Sequence, residues 1–382
     1  NNVAYGFQAG YTNTSGKNNV ALGSQALAIN ATGNNNTATG FQALYLNSSG
    51  YSNVAMGSQA LYNTTRQSNL VAIGDSALYN NGLGATLPNQ ATENTAIGSK
   101  SLYANTTGYK NTAHGHEALY ANTSGAFNTA AGLQALFSNT NGFYNTAMGT
   151  EALYASINGY GNTASGHQAM RANTSGDFNT ASGYQTLYAN TTGYSNVALG
   201  TKALFSNTTR SNLVAIGDSA LYNNGSGATQ SFQALNNTAV GSKALYANTT
   251  GYNNTALGYL ALNANNTGIE NTAHGSGALT FNTTGGSNTA QGFRTLNSNS
   301  SGSGNTGVGR EALYTNAVGN GNTAIGQRAL ALNNNGSNNT AIGDSAGLSS
   351  LGNNNIYIGH HAGANETGSN KFYLGNNATN TL

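Results

Sequence analysis

Residues Asn111 to Phe127 read N-T-A-H-G-H-E-A-L-Y-A-N-T-S-G-A-F, and the same phrase restarts at Asn128, Asn145, Asn162, Asn179 and Asn196. Counting the first Asn as position one, position five is a glycine. It recurs every 17 residues from Gly6 to Gly74, from Gly98 to Gly217 and from Gly241 to Gly343. Two intervals of 24 separate these runs, and two intervals of 16 lead on to Gly359 and Gly375. A short fixed period along a whole chain marks a solenoid or fibre, in which each repeat buries its apolar side against its neighbours.

Written out, the unit is N-T-A-x-G-x-x-A-L-Y-x-N-T-T-G-x-x. Two short segments suit extended strands, positions one to four and seven to eleven, separated by the marker glycine and the N-T-T-G turn. Asn and Gly tolerate the left-handed backbone of tight turns. The pattern disfavours a helix, because each recurring Gly would cost about 1 kcal/mol in its interior. The expected fold is all-β, a parallel β-solenoid or β-roll of about 22 rungs with two strands and two turns per rung, stacked about 4.8 Å apart.

Stacking turns every position into a column. Position three is Ala (Ala113, Ala130, Ala147, Ala164) and position nine Leu (Leu119, Leu136, Leu153, Leu187). These columns belong inside a thin coil, where each buried Leu contributes about 1.5–3 kcal/mol. Position four mixes Ile73, Met148 and Leu199 with Tyr5, His114, Ser165 and Gln291, which leaves its direction open. Position ten is aromatic at Tyr62, Tyr79, Tyr103, Tyr120, Phe137, Tyr154, Tyr188, Phe205, Tyr222 and Tyr246, with Arg171 breaking the series. After Tyr246 it lapses to Asn263, Thr280 and Asn297 before Tyr314. By strand alternation, positions eight and ten lie opposite the leucines. Such an apolar stripe is larger than a soluble monomer leaves in water, and a second copy of the chain is the simplest partner.

Charged residues are 6% of the chain, with 12 Lys plus Arg against 10 Asp plus Glu. That balance provides no field to attract nucleic acid or an anionic membrane. In-register Leu and Tyr separate the sequence from disordered chains of similar polarity. There is no cysteine, hence no disulfide or thiolate metal site. No apolar run is long enough to span a bilayer. The start in mid-repeat without Met reads as a processed chain or a piece of a longer one. No recurring carboxylate pair supports acid–base catalysis, so neither an enzyme nor a cofactor is expected.

Residues 1–342 read as a shaft or head of 17-residue repeats, with longer rungs near 75–93 and 218–236. Residues 343–382 read as shortened terminal rungs leading to a C-terminal domain beyond this sequence. An N-T-T-R turn precedes each long rung, at Asn63–Arg66 and Asn207–Arg210. G-Y-S-N-V-A at Gly50 and again at Gly193 marks a duplicated block. Arg66 with Asp75, and Arg210 with Asp218, could form charged pockets at the insert bases, or plain salt bridges worth roughly 0–1 kcal/mol. Loops on rigid scaffolds commonly carry function, which draws attention to the insert tips. Of the six histidines (His114, His116, His167, His274, His360, His361), His114 and His116 beside Glu117 are metal-ligand candidates, against the plainer reading of surface substitutions. Tyr103, Tyr120, Tyr154 and Tyr188 could stack on sugars or pack between subunits. The N-x-[ST] triplets at Asn105, Asn122, Asn173, Asn190 and Asn248 could be glycan acceptors, or simply the Asn of the turn.

The N-[TV]-A-x-G-x-x-A-L pattern, as in Asn322 to Gly326, resembles the head repeats of trimeric autotransporter adhesins and related repeats of phage and viral tail fibres and bacterial surface proteins. The stretch from Asn353 to Gly375, N-N-N-I-Y-I-G-H-H-A-G-A-N-E-T-G-S-N-K-F-Y-L-G, is similar to the segment that precedes a C-terminal intramolecular chaperone in such proteins. The resemblance covers nearly the whole chain, although adhesin heads commonly use somewhat shorter rungs. It implies a left-handed, homotrimeric β-roll, extracellular on a cell or virion surface. It also implies a structural fibre or adhesin segment presenting repeated weak contacts to a host-surface glycan or protein receptor, with avidity from repetition. The alternative is an ice- or crystal-binding solenoid using the position-two threonines Thr112, Thr129, Thr146, Thr163 and Thr180. Val3, Val20, Val54, Val71, Val197 and Val214 interrupt that array.

Overall fold

A computed structural model describes residues 1–376; the final six positions of the shortened terminal rungs lie outside the described residues. The chain divides into two compact units, Asn1–Gly193 and Tyr194–Leu382. Each is a parallel β-solenoid, and no helix occurs among the described residues. The first unit carries β1 (Val3–Tyr5) to β11 (Thr180–Ser182), and the second β12 (Val197–Leu199) to β22 (Phe372–Leu374). Within each unit, consecutive strands pair in parallel at equivalent positions, as in Thr112↔Thr129 and Thr255↔Thr272. The long and short rungs keep the same register, with Val71↔Thr95, Val214↔Thr238 and Thr340↔Ile356. Surplus residues are therefore looped out and never shift the ladder.

Only the first of the two expected strands exists. Each strand is three residues long, at positions two to four. Positions seven to eleven form a chain of turns, because positions seven and nine adopt left-handed backbone: Glu117 has φ 55° and Leu119 φ 52°. A non-glycine residue in this region costs of order 1–3 kcal/mol. Hydrogen bonds to both neighbouring rungs offset it: the Glu117 amide donates to the Ser99 carbonyl and the Leu119 amide to the Ala135 carbonyl, each at 3.0 Å. The marker glycine is required by both conformation and space. Gly115 has φ 137°, and a Cβ there would lie 2.4 Å from the Gly132 carbonyl oxygen.

The core is as thin as the repeat requires. Ala113 and Leu119 are fully buried, as are Ala130, Ala147, Leu136 and Leu153 in their columns, whereas Ala4 in β1 is exposed. Position eight joins them: Ala118 and Ala135 are also fully buried. This corrects the expected outward stripe of positions eight and ten, whose period-two alternation fails once the segment is not a strand. Position four points outward with position two, on either side of the inward Ala, as the exposed pair Thr112 and His114 shows.

Two columns of asparagine complete the interior. Asn111 at position one and Asn122 at position twelve are fully buried. Asn111 Nδ2 donates to the Gly125 carbonyl at 2.8 Å, and its backbone amide donates to Asn94 Oδ1 of the previous rung at 3.0 Å. Asn122 Nδ2 donates to Asn105 Oδ1 at 2.8 Å and to the Gly125 carbonyl at 3.0 Å. Gly125 must lack a side chain, since a Cβ would fall 2.4 Å from Asn122 Oδ1. The triplet asparagines Asn105, Asn122, Asn173, Asn190 and Asn248 all belong to this buried column. They are structural in the folded chain, which removes them as glycan acceptors.

Where position twelve departs from Asn, the preceding oxygen is orphaned. Ser156 follows Asn139, Thr64 follows Asn47 and Ser350 follows Asn333, and each of those three Asn Oδ1 atoms is buried without a partner. Near the second unit's last rungs a size exchange occurs. Tyr357, fully buried, and Tyr373, nearly so, replace the position-three Ala, while Gly347 and Gly363 replace the position-nine Leu. A Cβ on Gly347 would lie 2.6 Å from Tyr357 Cδ2. The Tyr357 hydroxyl sits 2.7 Å from Ser350 Oγ, and burial pushes its pKa up to about 12.

Ser156→Asn restores the missing donor to Asn139 Oδ1. It is expected to stabilise the chain by about 1–3 kcal/mol, the usual penalty of an unsatisfied buried polar group. Thermal unfolding of the variant checks this; an unchanged or lowered midpoint contradicts the account.

Candidate functional site

With positions one, three, eight, nine and twelve turned inward, chemistry resides in the outward columns. The most regular is position ten. Because each rung repeats the same backbone, successive rings superpose. From Tyr45 through Tyr62, Tyr79, Tyr103, Tyr120 and Phe137 to Tyr154, centroids are 5.1–5.3 Å apart and planes within 10° of parallel. The second unit repeats the pattern at Phe205, Tyr222 and Tyr246. Each ring, including the sugar-stacking candidates Tyr103, Tyr120, Tyr154 and Tyr188, is partly buried. Ring faces are spent on one another and mainly edges meet water, so the unbroken column is a poor platform for stacking a sugar.

Arg171 breaks the column without disrupting it. Its guanidinium lies over the Tyr154 ring, 5.0 Å from the centroid, and its Nε donates to Glu151 Oε2 at 2.6 Å. That bond, with a second from Gln168, holds the Glu151 carboxyl below its ordinary range.

The lapse at Asn263, Thr280 and Asn297 has a larger effect. Three small polar side chains replace rings, and Gly277 stands at position seven in a column usually held by Gln, Glu or Lys. A cleft of about 290 Å³ opens there, in the second unit. Tyr259 and Phe293 from position six, Phe281 from position eleven and Tyr314 from position ten border it. The first three are strongly exposed, at 55%, 44% and 57%. The cleft also has polar walls. Thr280 and Asn297 are more than nine-tenths buried. Asn297 Nδ2 donates to the Gly277 carbonyl at 2.8 Å and to Thr280 Oγ1 at 3.1 Å, which fixes both side chains. Arg294 stacks over Phe293 at 5.0 Å and makes no ion pair among the described residues. Aromatic faces, fixed hydroxyl and amide groups and an uncommitted cation suit a polyhydroxylated ligand bearing an anionic group.

The charged pairs expected at the inserts do not form. Arg66 and Asp75 are not within ion-pair distance, nor are Arg210 and Asp218. Instead each arginine ties down its insert through main-chain carbonyls: Arg66 to Ala85 at 2.5 Å, Arg210 to Ala228 at 2.9 Å and Gln230 at 3.1 Å. A glutamine folds each tip the same way, Gln90 accepting from Thr86 and Leu87, Gln233 from Thr229 and Gln230. Leu83 and Leu87 on one insert and Phe232 on the other remain exposed. His114 and His116 are exposed and point out from positions four and six. His116 Nδ1 is 3.8 Å from Glu117 Oε2, which already accepts from Gln134 at 2.8 Å. Among the described residues, the set of three potential metal donors that converges is elsewhere, at Asp344, His360 and His361.

The lowered Glu151 carboxyl has a signed consequence. Its stabilisation is present above the unfolded value of about 4.3 and is lost as pH falls through the folded value. Glu151→Gln is therefore expected to lose about 1 kcal/mol or less at pH 7 and nothing further in acid. The wild-type advantage should shrink as pH falls below the ordinary carboxylate range; thermal midpoints of both proteins at pH 7 and in acid decide. No protein-family model and no curated protein matches this chain.

Proposed function

We propose that this chain is a structural, non-enzymatic segment of an extracellular fibre or adhesin, on a cell or virion surface. In this reading it assembles as a left-handed homotrimer, so that a weak contact made once per chain is repeated in each subunit toward a receptor glycan. The observation that carries the reading is the cleft: a strictly repeated scaffold departs from its pattern at Gly277, Thr280 and Asn297 and there builds a pocket of rings around fixed polar groups. A pyranose carrying a carboxylate matches it, with a ring face against Phe293 or Tyr314 and the acid group on Arg294. The scaffold supports the role, because a rung held by both neighbours keeps the cleft preorganised, which reduces the cost of binding.

Two measurements test this. Sedimentation equilibrium should give a native mass near three times the 38.8 kDa chain; a monomer removes the trimer. A glycan array should retain carboxylate-bearing sugars. Arg294→Ala should weaken binding about tenfold or more, as expected for a hydrogen bond to a charged group, while Tyr120→Ala, within the stacked column, should leave affinity unchanged. Equal loss in both variants, or no sugar retained, sinks the glycan assignment.

One observation favours the ice- or crystal-binding alternative. In the second unit, position two is Thr in seven successive strands from Thr238 to Thr340, all facing outward at about 4.8 Å spacing. Beside it, however, position four runs Val240, Leu257, His274, Gln291, Val308, Ile325 and Ile342, which is not a uniform surface. The fibre reading predicts no thermal hysteresis in freezing assays, and a measurable gap between melting and freezing would reverse the order of the two.

A further inference from the structure

We propose that Asp344, His360 and His361 form a divalent transition-metal site, of which Zn(II) is the best-matched occupant. The site follows from the stacking. Asp344 and His360 occupy position six of adjacent rungs, 16 residues apart, so their side chains leave the solenoid one above the other. His361 follows at position seven, where the left-handed backbone (φ 53°) turns its side chain away from the run of the chain. Its amide donates to the Asp344 carbonyl at 3.0 Å, which pins the two rungs together beneath the donors.

The donor atoms lie within 4.8 Å of one another. Asp344 Oδ2 and His360 Nε2 are 3.5 Å apart. Two donors bound at about 2.1 Å to one tetrahedral ion are separated by about 3.4 Å, so that pair already stands at the edge length of a zinc polyhedron. The two imidazoles meet edge to face with centroids 4.2 Å apart, and a small rotation brings both nitrogens toward a common point. Two neutral nitrogens and one carboxylate are a borderline donor set that suits zinc and disfavours calcium or magnesium, which need more oxygen ligands. All three groups reach the surface, leaving the fourth position to water or to a donor from another molecule.

Such an ion joins the rungs of β20 (Thr340–Ile342) and β21 (Ile356–Ile358). Here the period shortens to 16 and the interior exchanges Ala and Leu for Tyr and Gly. A ligand that binds only the folded chain stabilises it, so the metal acts as an external staple on the least regular rungs.

Isothermal titration of the full chain with zinc chloride is expected to show saturable binding, one ion per chain. His360→Ala should weaken it about tenfold or more through loss of one ligand of three, and Asp344→Asn should weaken it as well. His114→Ala with His116→Ala should leave it unchanged. Cobalt(II) substitution gives an independent readout, an intense visible absorption of a tetrahedral centre, lost in His360→Ala. Zinc should also raise the thermal midpoint of wild type and not of His360→Ala; far-UV circular dichroism verifies that the variants fold. Binding unaffected by His360→Ala, or lost when His114 and His116 are replaced, overturns the assignment, as does absence of binding at millimolar zinc.

Discussion

The structure depends on a buried amide answered from rung to rung, its oxygen orphaned where the column is interrupted, as at Asn47, Asn139 and Asn333. An Asn at position one or twelve places a donor and an acceptor in an interior only a few side chains wide. Pairing each is strongly favoured, because an orphaned polar group there costs about 1–3 kcal/mol. The partner is the same residue in the adjacent rung together with the carbonyl of the turn glycine. From this follow the N-T-T-G turn, the glycine that cannot carry a Cβ beside the amide oxygen, and the insensitivity of the register to inserts. An insert rung may be 24 residues long, but its asparagines still meet those of the next rung: Asn105 Nδ2 donates to Asn81 Oδ1 across that gap.

The inward columns are thereby held nearly constant while the outward ones vary, and the two kinds of position do different work. Phe137 can stand for Tyr, Arg171 for either, and Asn263, Thr280 and Asn297 for all of them, without disturbing a strand pair. The cleft is a product of this freedom. It needs no new loop or altered backbone; smaller side chains in one column and rings in the neighbouring columns suffice. The terminal exchange of Ala and Leu for Tyr and Gly is the converse case, in which two inward columns change together and conserve the filled space.

Much of this was legible from residues. The glycine period gave the number of rungs, and alanine opposite leucine identified the core. The turns at positions seven to eleven were not legible, because Glu117 and Leu119 are residues that ordinarily avoid left-handed backbone. Only the ladder on both sides stabilises them there, and a single repeat does not reveal that. The misplacement of position eight followed from reading a strand where there was none. The charged pairs failed for a related reason. Arg66 and Asp75 are close in sequence, but they stand at positions fourteen and six, on different parts of the coil. Asp344 and His360, far apart in sequence, share a column, so their meeting follows from the repeat once its phase through the 16-residue rungs is known. The lapse in the aromatic column was visible, but the cleft also required Gly277 and rings from other columns, whose outward direction is set by the folded coil and not by the repeat alone.

The size exchange at Tyr357 also bears on how the chain finds its own alignment. A stack of near-identical rungs is degenerate: a rung can be skipped, and its two neighbours can pair almost as well as the correct ones. Such errors are a hazard of repeat proteins. A Tyr at position three has room only between rungs with Gly at position nine, so the rungs around Gly347, Tyr357 and Gly363 accept no others in their place. They act as an index mark, a sequence-unique register from which the repetitive rungs of the second unit can be counted.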